Sequence, residues 1–182
     1  MRIIAGTAKG RPLKTPKGML TRPTQDRIKE SVFNILANYG FENFQVLDLF
    51  SGTGALGLEA LSRGADQATL VDYHTNKIIL DNINYCGFTS QCAIIKKDVY
   101  DAIRILKGRQ FGLIFADPPY NRNFVNPVIE SVFRNKLLKD RGVFVIEHSK
   151  KETIVPNMMV YRVFRQSNYG DTVVSFLQSV SE

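Results

Sequence analysis

Five short apolar runs, each followed by a turn and a helical segment, constrain this chain more than any other feature. They occupy residues 46–50, 68–72, 93–95, 111–116 and 143–146. Runs this short and continuous suit strands buried on both faces, as in a parallel sheet covered by helices. One intervening helix passes through Leu58, Leu61 and Arg63 and stops at Gly64. Thr75 is placed to cap a second, running to Gly87, and Asp98 a third, running to Gly108. Asn126 and Pro127 read as the cap and first residue of a fourth, extending through Leu138. The end breaks the alternation. Residues 160–166 and 172–178 look like strands joined by Ser167-Asn168-Tyr169-Gly170-Asp171, with no helix between them, so they should form a hairpin. The expected fold class is α/β: a mostly parallel, doubly wound sheet of seven strands with an antiparallel C-terminal hairpin.

Acids stand at the ends of the first four strands: Asp48, Asp72, Asp98 and Asp117. In an open parallel sheet these ends lie along one edge, where ligands bind. One such acid alone is more often a helix cap or turn residue; four in step point to one cleft, although Asp98 can also serve as a cap. Asp117 opens Asp117-Pro118-Pro119-Tyr120. Two prolines neither extend a helix nor donate to a ladder, so the chain leaves the strand in a rigid turn. That turn holds a carboxylate, fixed carbonyls and an aromatic ring together. A planar base suits it: the ring stacks while the carboxylate and a carbonyl accept from an exocyclic amine.

Between the first two acids lies Gly52-Thr53-Gly54-Ala55-Leu56-Gly57, which matches the dinucleotide fingerprint G-x-G-x-x-G, with Asp72 where a ribose-binding acid is wanted. Electrostatics argue against a dinucleotide. Asp48 stands just before the glycine turn and would face a pyrophosphate at short range. The same charge suits S-adenosylmethionine, which carries an ammonium and a sulfonium and no phosphate. Its ribose hydroxyls would suit Asp72, and its adenine amine Asp98.

The chain has 182 residues, enough for one domain with a proper core, and its net charge is +7. That charge is uneven. Residues 1–30 hold eight bases, among them Arg2, Lys9, Arg11 and Lys14, against two acids, while the remainder is nearly neutral. A basic arm on a neutral body suggests contact with a polyanion, although charge runs are also common on solvated termini. Gly6, Gly10, Pro12, Pro16 and Gly18 punctuate residues 1–20 and favour a hairpin or extended arm. Thr21-Arg22-Pro23-Thr24 then leads into a helix whose stripe is Ile28, Val32, Ile35 and Leu36, with Thr24 as its expected cap. No apolar run approaches the length of a membrane span, so a cytosolic protein is expected. Cys86 and Cys92 lack metal-ligand company, and no metal is expected. Monomer is the default state.

With these residues in view, the sequence resembles a class I S-adenosylmethionine-dependent methyltransferase. More narrowly, it resembles the RsmD family of bacterial 16S rRNA guanine-N2 methyltransferases. The resembling stretches are Arg2-Ile3-Ile4-Ala5-Gly6 with Lys9-Gly10-Arg11, then Arg22-Pro23-Thr24-Gln25-Asp26-Arg27, residues 46–64, Asp117-Pro118-Pro119-Tyr120, and Tyr169-Gly170-Asp171-Thr172. They span essentially the whole chain. The glycine loop and the Asp-Pro-Pro-Tyr turn are shared by many amino-methylating enzymes, whereas the arm and the Arg-Pro-Thr run are more specific to this family. The resemblance implies a Rossmann-like methyltransferase domain over residues 21–182 and a basic arm or hairpin over 1–20. It puts Asp48, Ser51, Gly52, Thr53 and Gly54 against the methionine part of the cofactor, Asp72 on its ribose and Asp98 on its adenine, with Arg22 and Thr24 nearby. Asp117, Pro118, Pro119 and Tyr120 would hold the target guanine. Arg2, Lys9, Arg11 and Lys14 would hold 16S rRNA or the assembling small subunit. One departure is visible: family members often carry lysine shortly before the Tyr-Gly of the last hairpin, and Ser167 and Asn168 stand here. Competing readings are a DNA N6-adenine or N4-cytosine methyltransferase, a non-catalytic RNA-binding module in a methyltransferase shell, and a dinucleotide oxidoreductase.

Overall fold

The computed structural model describes residues 1–16, 23–39 and 43–180, the side chains of Pro23 and Thr24 apart. Seven strands form one sheet in the order β3-β2-β1-β4-β5-β7-β6. They are β1 (Gln45–Leu49), β2 (Gln67–Val71), β3 (Cys92–Ile95), β4 (Phe111–Ala116), β5 (Leu138–Ser149), β6 (Tyr161–Tyr169) and β7 (Thr172–Ser179). The first five run parallel, and β7 and β6 add antiparallel to β5. The helices are α1 (Pro23–Leu36), α2 (Ala55–Ser62), α3 (Asn76–Cys86), α4 (Val99–Ile105) and α5 (Val125–Arg134). None of the described helices is long and apolar enough to cross a membrane.

Side chains alternate across a strand, so each strand feeds two cores. Val46, Phe115 and Val145 join one with α1, α2 and α3, while Leu47, Ile114 and Phe144 join the other with α4 and α5. The expected α1 stripe faces the first core through Ile28, Val32 and Leu36, with Phe33 fully buried beside them. Asp48, Asp117 and Glu147 share the parity of Val46, Phe115 and Val145, so all three carboxylates emerge on the α1 face.

Three local expectations change. First, α5 begins at Val125, with Phe124 in the cap position. Asn126 instead ties down the loop after β5: its Nδ2 donates to the Thr153 carbonyl at 2.9 Å and its Oδ1 accepts from Val155 N at 2.8 Å. Pro127 still fits, because first-turn N–H groups have no intrahelical partner. Second, α5 stops at Arg134 and Leu138 starts β5, since Phe111 N donates to the Leu137 carbonyl at 2.8 Å and pairing begins at Phe111↔Leu138. Third, the hairpin turn is tighter than five residues. Ser167, Asn168 and Tyr169 pair with Val174, Val173 and Thr172, leaving only Gly170-Asp171, with Gly170 at φ +66°. Tyr169 also hydrogen-bonds Ser31, which fastens the hairpin to α1.

Residues 1–16 fold back on themselves through an Arg2↔Pro12 bridge and bury Ile3, Ala8 and Leu13 in the α1-side core. Their backbone is held by α2. Glu59, fully buried, accepts from Ile4 N at 2.7 Å and Ala5 N at 3.0 Å, while Ser62 Oγ accepts from Ala8 N at 2.9 Å. Gly6 passes so close that a Cβ would lie 1.6 Å from the Ser62 carbonyl oxygen. The buried Lys29 ammonium sits 3.4 Å from Glu59 and also donates to the Arg2 carbonyl. Arg63 Nε approaches Glu59 at 2.8 Å, its guanidinium over the Phe33 ring. Burial lowers the Lys29 pKa, with Glu59 as the main opposing influence. Glu59→Ala would strand Lys29 without its counter-charge and should cost about 3–5 kcal/mol. Urea unfolding measures this, and limited proteolysis should find residues 1–16 released.

Candidate active site

The carboxyl ends of β1, β4 and β5 open into a cleft roofed by α1 and the first residues of the chain. Its walls include Asp48, Phe50, the Ser51-Gly52-Thr53 turn, Asp117, Glu147, Val174, Lys29 and Met1. The turn is built on unusual backbone. Gly52 and Gly54 take φ +56° and +79°, which glycine adopts without cost. Phe50, at φ +60°, does not have that freedom, and such strain in a bulky residue concentrates at functional sites.

The expected cofactor residues from Asp48 to Asp98 each have a defined structural setting. Asp48 is 1% exposed, and its Oδ2 accepts from Gly57 N at 3.0 Å. Burial raises its pKa to about 7, the Gly57 N–H opposes the rise, and the Asp72 charge adds to it. Ser51 stitches β1 to β2: its hydroxyl donates to the Asp48 carbonyl at 2.5 Å and accepts from Val71 N at 2.9 Å. Thr53 Oγ1 contacts Met1 Sδ at 3.3 Å, and its carbonyl accepts from Asn82 Nδ2 at 2.9 Å. Asp72 joins the glycine turn to α3, accepting from Gly52 N (3.0 Å), His74 N (2.7 Å) and Thr75 N (2.9 Å). Thr75 occupies the cap position of α3 without a side-chain cap bond, and Asp72 instead holds the His74 and Thr75 amides that lead into the helix. Asp98 caps α4 with Oδ1, accepting from Tyr100 N and Asp101 N. It stands apart from the cleft lining, but an aromatic row leads to its helix: Phe50 lies edge-on to Phe124 at 5.6 Å, and Phe124 stacks on Tyr100 at 6.4 Å. Arg22 and the Thr24 side chain lie outside the described residues.

The Asp-Pro-Pro-Tyr turn meets the C-terminal hairpin. The Tyr120 hydroxyl donates to Glu147 Oε1 on β5 and shares a 3.0 Å hydrogen bond with Thr172 Oγ1 on β7. Desolvation raises the Asp117 pKa well above the ordinary carboxylate value, and the Glu147 and Asp48 charges raise it further. Asp117 is exposed, so desolvation acts weakly on it; the firmer cause is the like charge of three carboxylates lining one cleft. Glu147 is also raised by desolvation, with the Tyr120 hydroxyl opposing. Desolvation and the bond to Glu147 raise the Tyr120 phenol.

The sequence reading misses Glu147 and Lys29. Glu147 had a signal, because it follows the fifth apolar run as the four aspartates follow the first four. Lys29 had little, being one more base in a basic segment. The expected polyanion contacts are split. Arg11 Nη1 donates to the Tyr85 carbonyl at 2.7 Å near the end of α3, and Lys14 pairs with Asp81 at 3.0 Å. Arg2 and Lys9 line a separate groove with Arg27, Asp26 and Glu30.

Comparison with known proteins agrees with this geometry. The family described as conserved hypothetical protein 95 matches over residues 1–178. "Ribosomal RNA small subunit methyltransferase D" of Escherichia coli (strain K12) is 31% identical over 187 residues, covering 94% of this chain and 93% of that protein. The Haemophilus influenzae protein of the same name is 32% identical over 161 residues, covering 85% and 82%. A solved Escherichia coli structure, 30% identical, superposes with a TM-score of 0.85 and covers 100% of this chain and 99% of that one.

The raised Asp48 pKa makes a stability prediction. In the unfolded chain the group titrates near 3.8, and in the fold near 7. Between those values the folded protein keeps a proton that the unfolded chain releases, so stability falls as pH rises from about 4 to about 7. Asp48→Asn removes that loss. The variant should gain on the wild type by at most ~4 kcal/mol at pH 8 and much less at pH 4, read from urea unfolding at both pH values.

Proposed function

The chain belongs to the family described as conserved hypothetical protein 95, the RsmD family, and on that premise we propose that it transfers a methyl group from S-adenosylmethionine to the exocyclic N2 amine of a guanine in 16S rRNA. The observation that carries this reading is the convergence of Asp48, Asp117 and Glu147 on one cleft, with Tyr120 anchored at its edge. Three carboxylates suit a cationic ligand and oppose a pyrophosphate. Lys29, the cationic side chain among the described lining residues, is already engaged with Glu59.

When bound, S-adenosylmethionine supplies a methyl group on a sulfonium that leaves as a neutral thioether. Asp48 and the glycine turn would hold its methionine part, while Asp72 meets the ribose and Asp98 the adenine. The chain's own residues handle the base. Tyr120, fixed by Glu147 and Thr172, offers its ring to a base taken out of its stack. Asp117 and the Pro118 carbonyl accept the amine hydrogens and turn the nitrogen lone pair toward the methyl carbon. As the N–C bond forms the amine proton becomes acidic, and Asp117 takes it; its raised pKa makes it a better acceptor than an ordinary carboxylate. Orientation supplies much of the rate. The exposed Arg2 and Lys9 would meet RNA phosphates, and the reaction belongs in the cytosol, where rRNA is assembled into subunits.

Labelled S-adenosylmethionine, small-subunit RNA lacking the modification and mass spectrometry of the nucleosides test this. N2-methylguanosine at one position is expected; N6-methyladenine or no transfer would overturn it. Asp117→Ala should lower transfer at least ~100-fold and leave S-adenosylmethionine affinity nearly intact. Equal loss of both would remove Asp117 from the base. Arg2→Glu with Lys9→Glu should weaken RNA binding and reduce its salt slope by about 1–2. An unchanged slope would take these bases off the RNA.

A further inference from the structure

Among the described residues, Glu147 is the one cleft carboxylate that the transfer step leaves unused. The parallel register of β4 and β5 ends at Ala116↔Ile146. Glu147 is the next residue of β5 and Asp117 the first residue after β4, so the two leave the same edge of the sheet from neighbouring strands. Both line the cleft. The Tyr120 hydroxyl occupies Glu147 Oε1 and fixes the side chain's orientation, leaving Oε2 for a ligand. The phenol is itself held by Thr172.

Resting on the methyl-transfer reading above, we infer that Glu147 is a specificity-determining residue: beside Asp117 it forms a paired acceptor that reads the ring N1–H and the N2 amine of guanine together. Guanine presents these two donors next to each other on its Watson–Crick edge. Adenine and cytosine present an amine beside a ring nitrogen that is itself an acceptor. Against them, the ionised Glu147 that the guanine N1–H favours would set an anion opposite a lone pair. A site built to bond a particular donor rejects the analogue that lacks it far more strongly than a site that only fits shape. The pair therefore explains how one strand-end turn, shared in form by enzymes of different bases, can be confined to guanine here.

The discriminating substrate is 2-aminopurine, which keeps the N2 amine but carries an unprotonated N1. Small-subunit RNA is assembled by ligation with either guanosine or 2-aminopurine riboside at the position mapped as methylated. Transfer from labelled S-adenosylmethionine is then compared for wild type, Glu147→Gln, Glu147→Asp and Tyr120→Phe. The wild type should prefer guanosine at least ~100-fold. Glu147→Gln should lose guanosine transfer and shrink that preference more than ~10-fold, because the amide can donate to the bare N1. Glu147→Asp should be slower on both substrates and keep the preference, as it retains a carboxylate. Tyr120→Phe should slow both and, by loosening a carboxylate that is still present, narrow the preference far less than Glu147→Gln does. If Glu147→Gln slows both substrates by the same factor, or Tyr120→Phe collapses the preference as Glu147→Gln does, Glu147 acts only by holding Tyr120 and the inference is overturned. A wild type that methylates no guanine would overturn the methyl-transfer reading itself, whereas intact guanine methylation with unchanged discrimination in Glu147→Gln overturns only the role of Glu147.

Discussion

Charge at the ends of buried strands is the constraint on which this structure turns. A parallel sheet covered on both faces has apolar interiors, and the carboxyl ends of its strands are the places where polar groups can surface together. Here the pleat sends Asp48, Asp117 and Glu147 out on the same face, so three acids meet under α1. Burying carboxylates is unfavourable unless backbone donors or ligands compensate. Asp48 has one amide, from Gly57, and remains raised to about 7. Asp72 has three amides and spends them joining the glycine turn to α3. The under-compensated acids are those facing the cleft, where a cationic ligand and a hydrogen-rich base edge would complete them.

The first residues of the chain belong to this site as much as to any polyanion contact. Glu59 is the point of attachment. It takes two backbone amides of the arm and two cations, Lys29 from α1 and Arg63 from its own helix. Lys29 in turn reaches the Arg2 carbonyl and lines the cleft. Asn82 does similar work at the far end, bonding Lys14 and Thr53 together. The arm and the glycine turn are thereby joined through packed polar groups.

The sequence carried the sheet well because buried parallel strands write themselves as apolar runs closed by acids. All five runs became strands, the hairpin followed, and Asp98 caps its helix as expected. What it could not carry depended on partners distant in the chain. Asn126 looked like a cap by local chemistry, but the loop after β5 claims its amide. The 167–171 segment looked like a loop by composition, yet pairing with β7 extends β6 to Tyr169. Arg11 and Lys14 counted as free charge until α3 packed beside them. Glu147 was visible in principle, as the acid closing the fifth run, but its bond to Tyr120 needed the fold to bring the two chain segments together.

On this reading the strand-end carboxylates select a cationic, phosphate-free nucleoside, against what the glycine fingerprint alone would suggest. Isothermal titration of the intact protein with S-adenosylmethionine and, separately, with NAD tests it most directly. One molecule of S-adenosylmethionine should bind per chain, with no measurable heat from NAD. Binding of NAD as tight as or tighter than that of S-adenosylmethionine would contradict it.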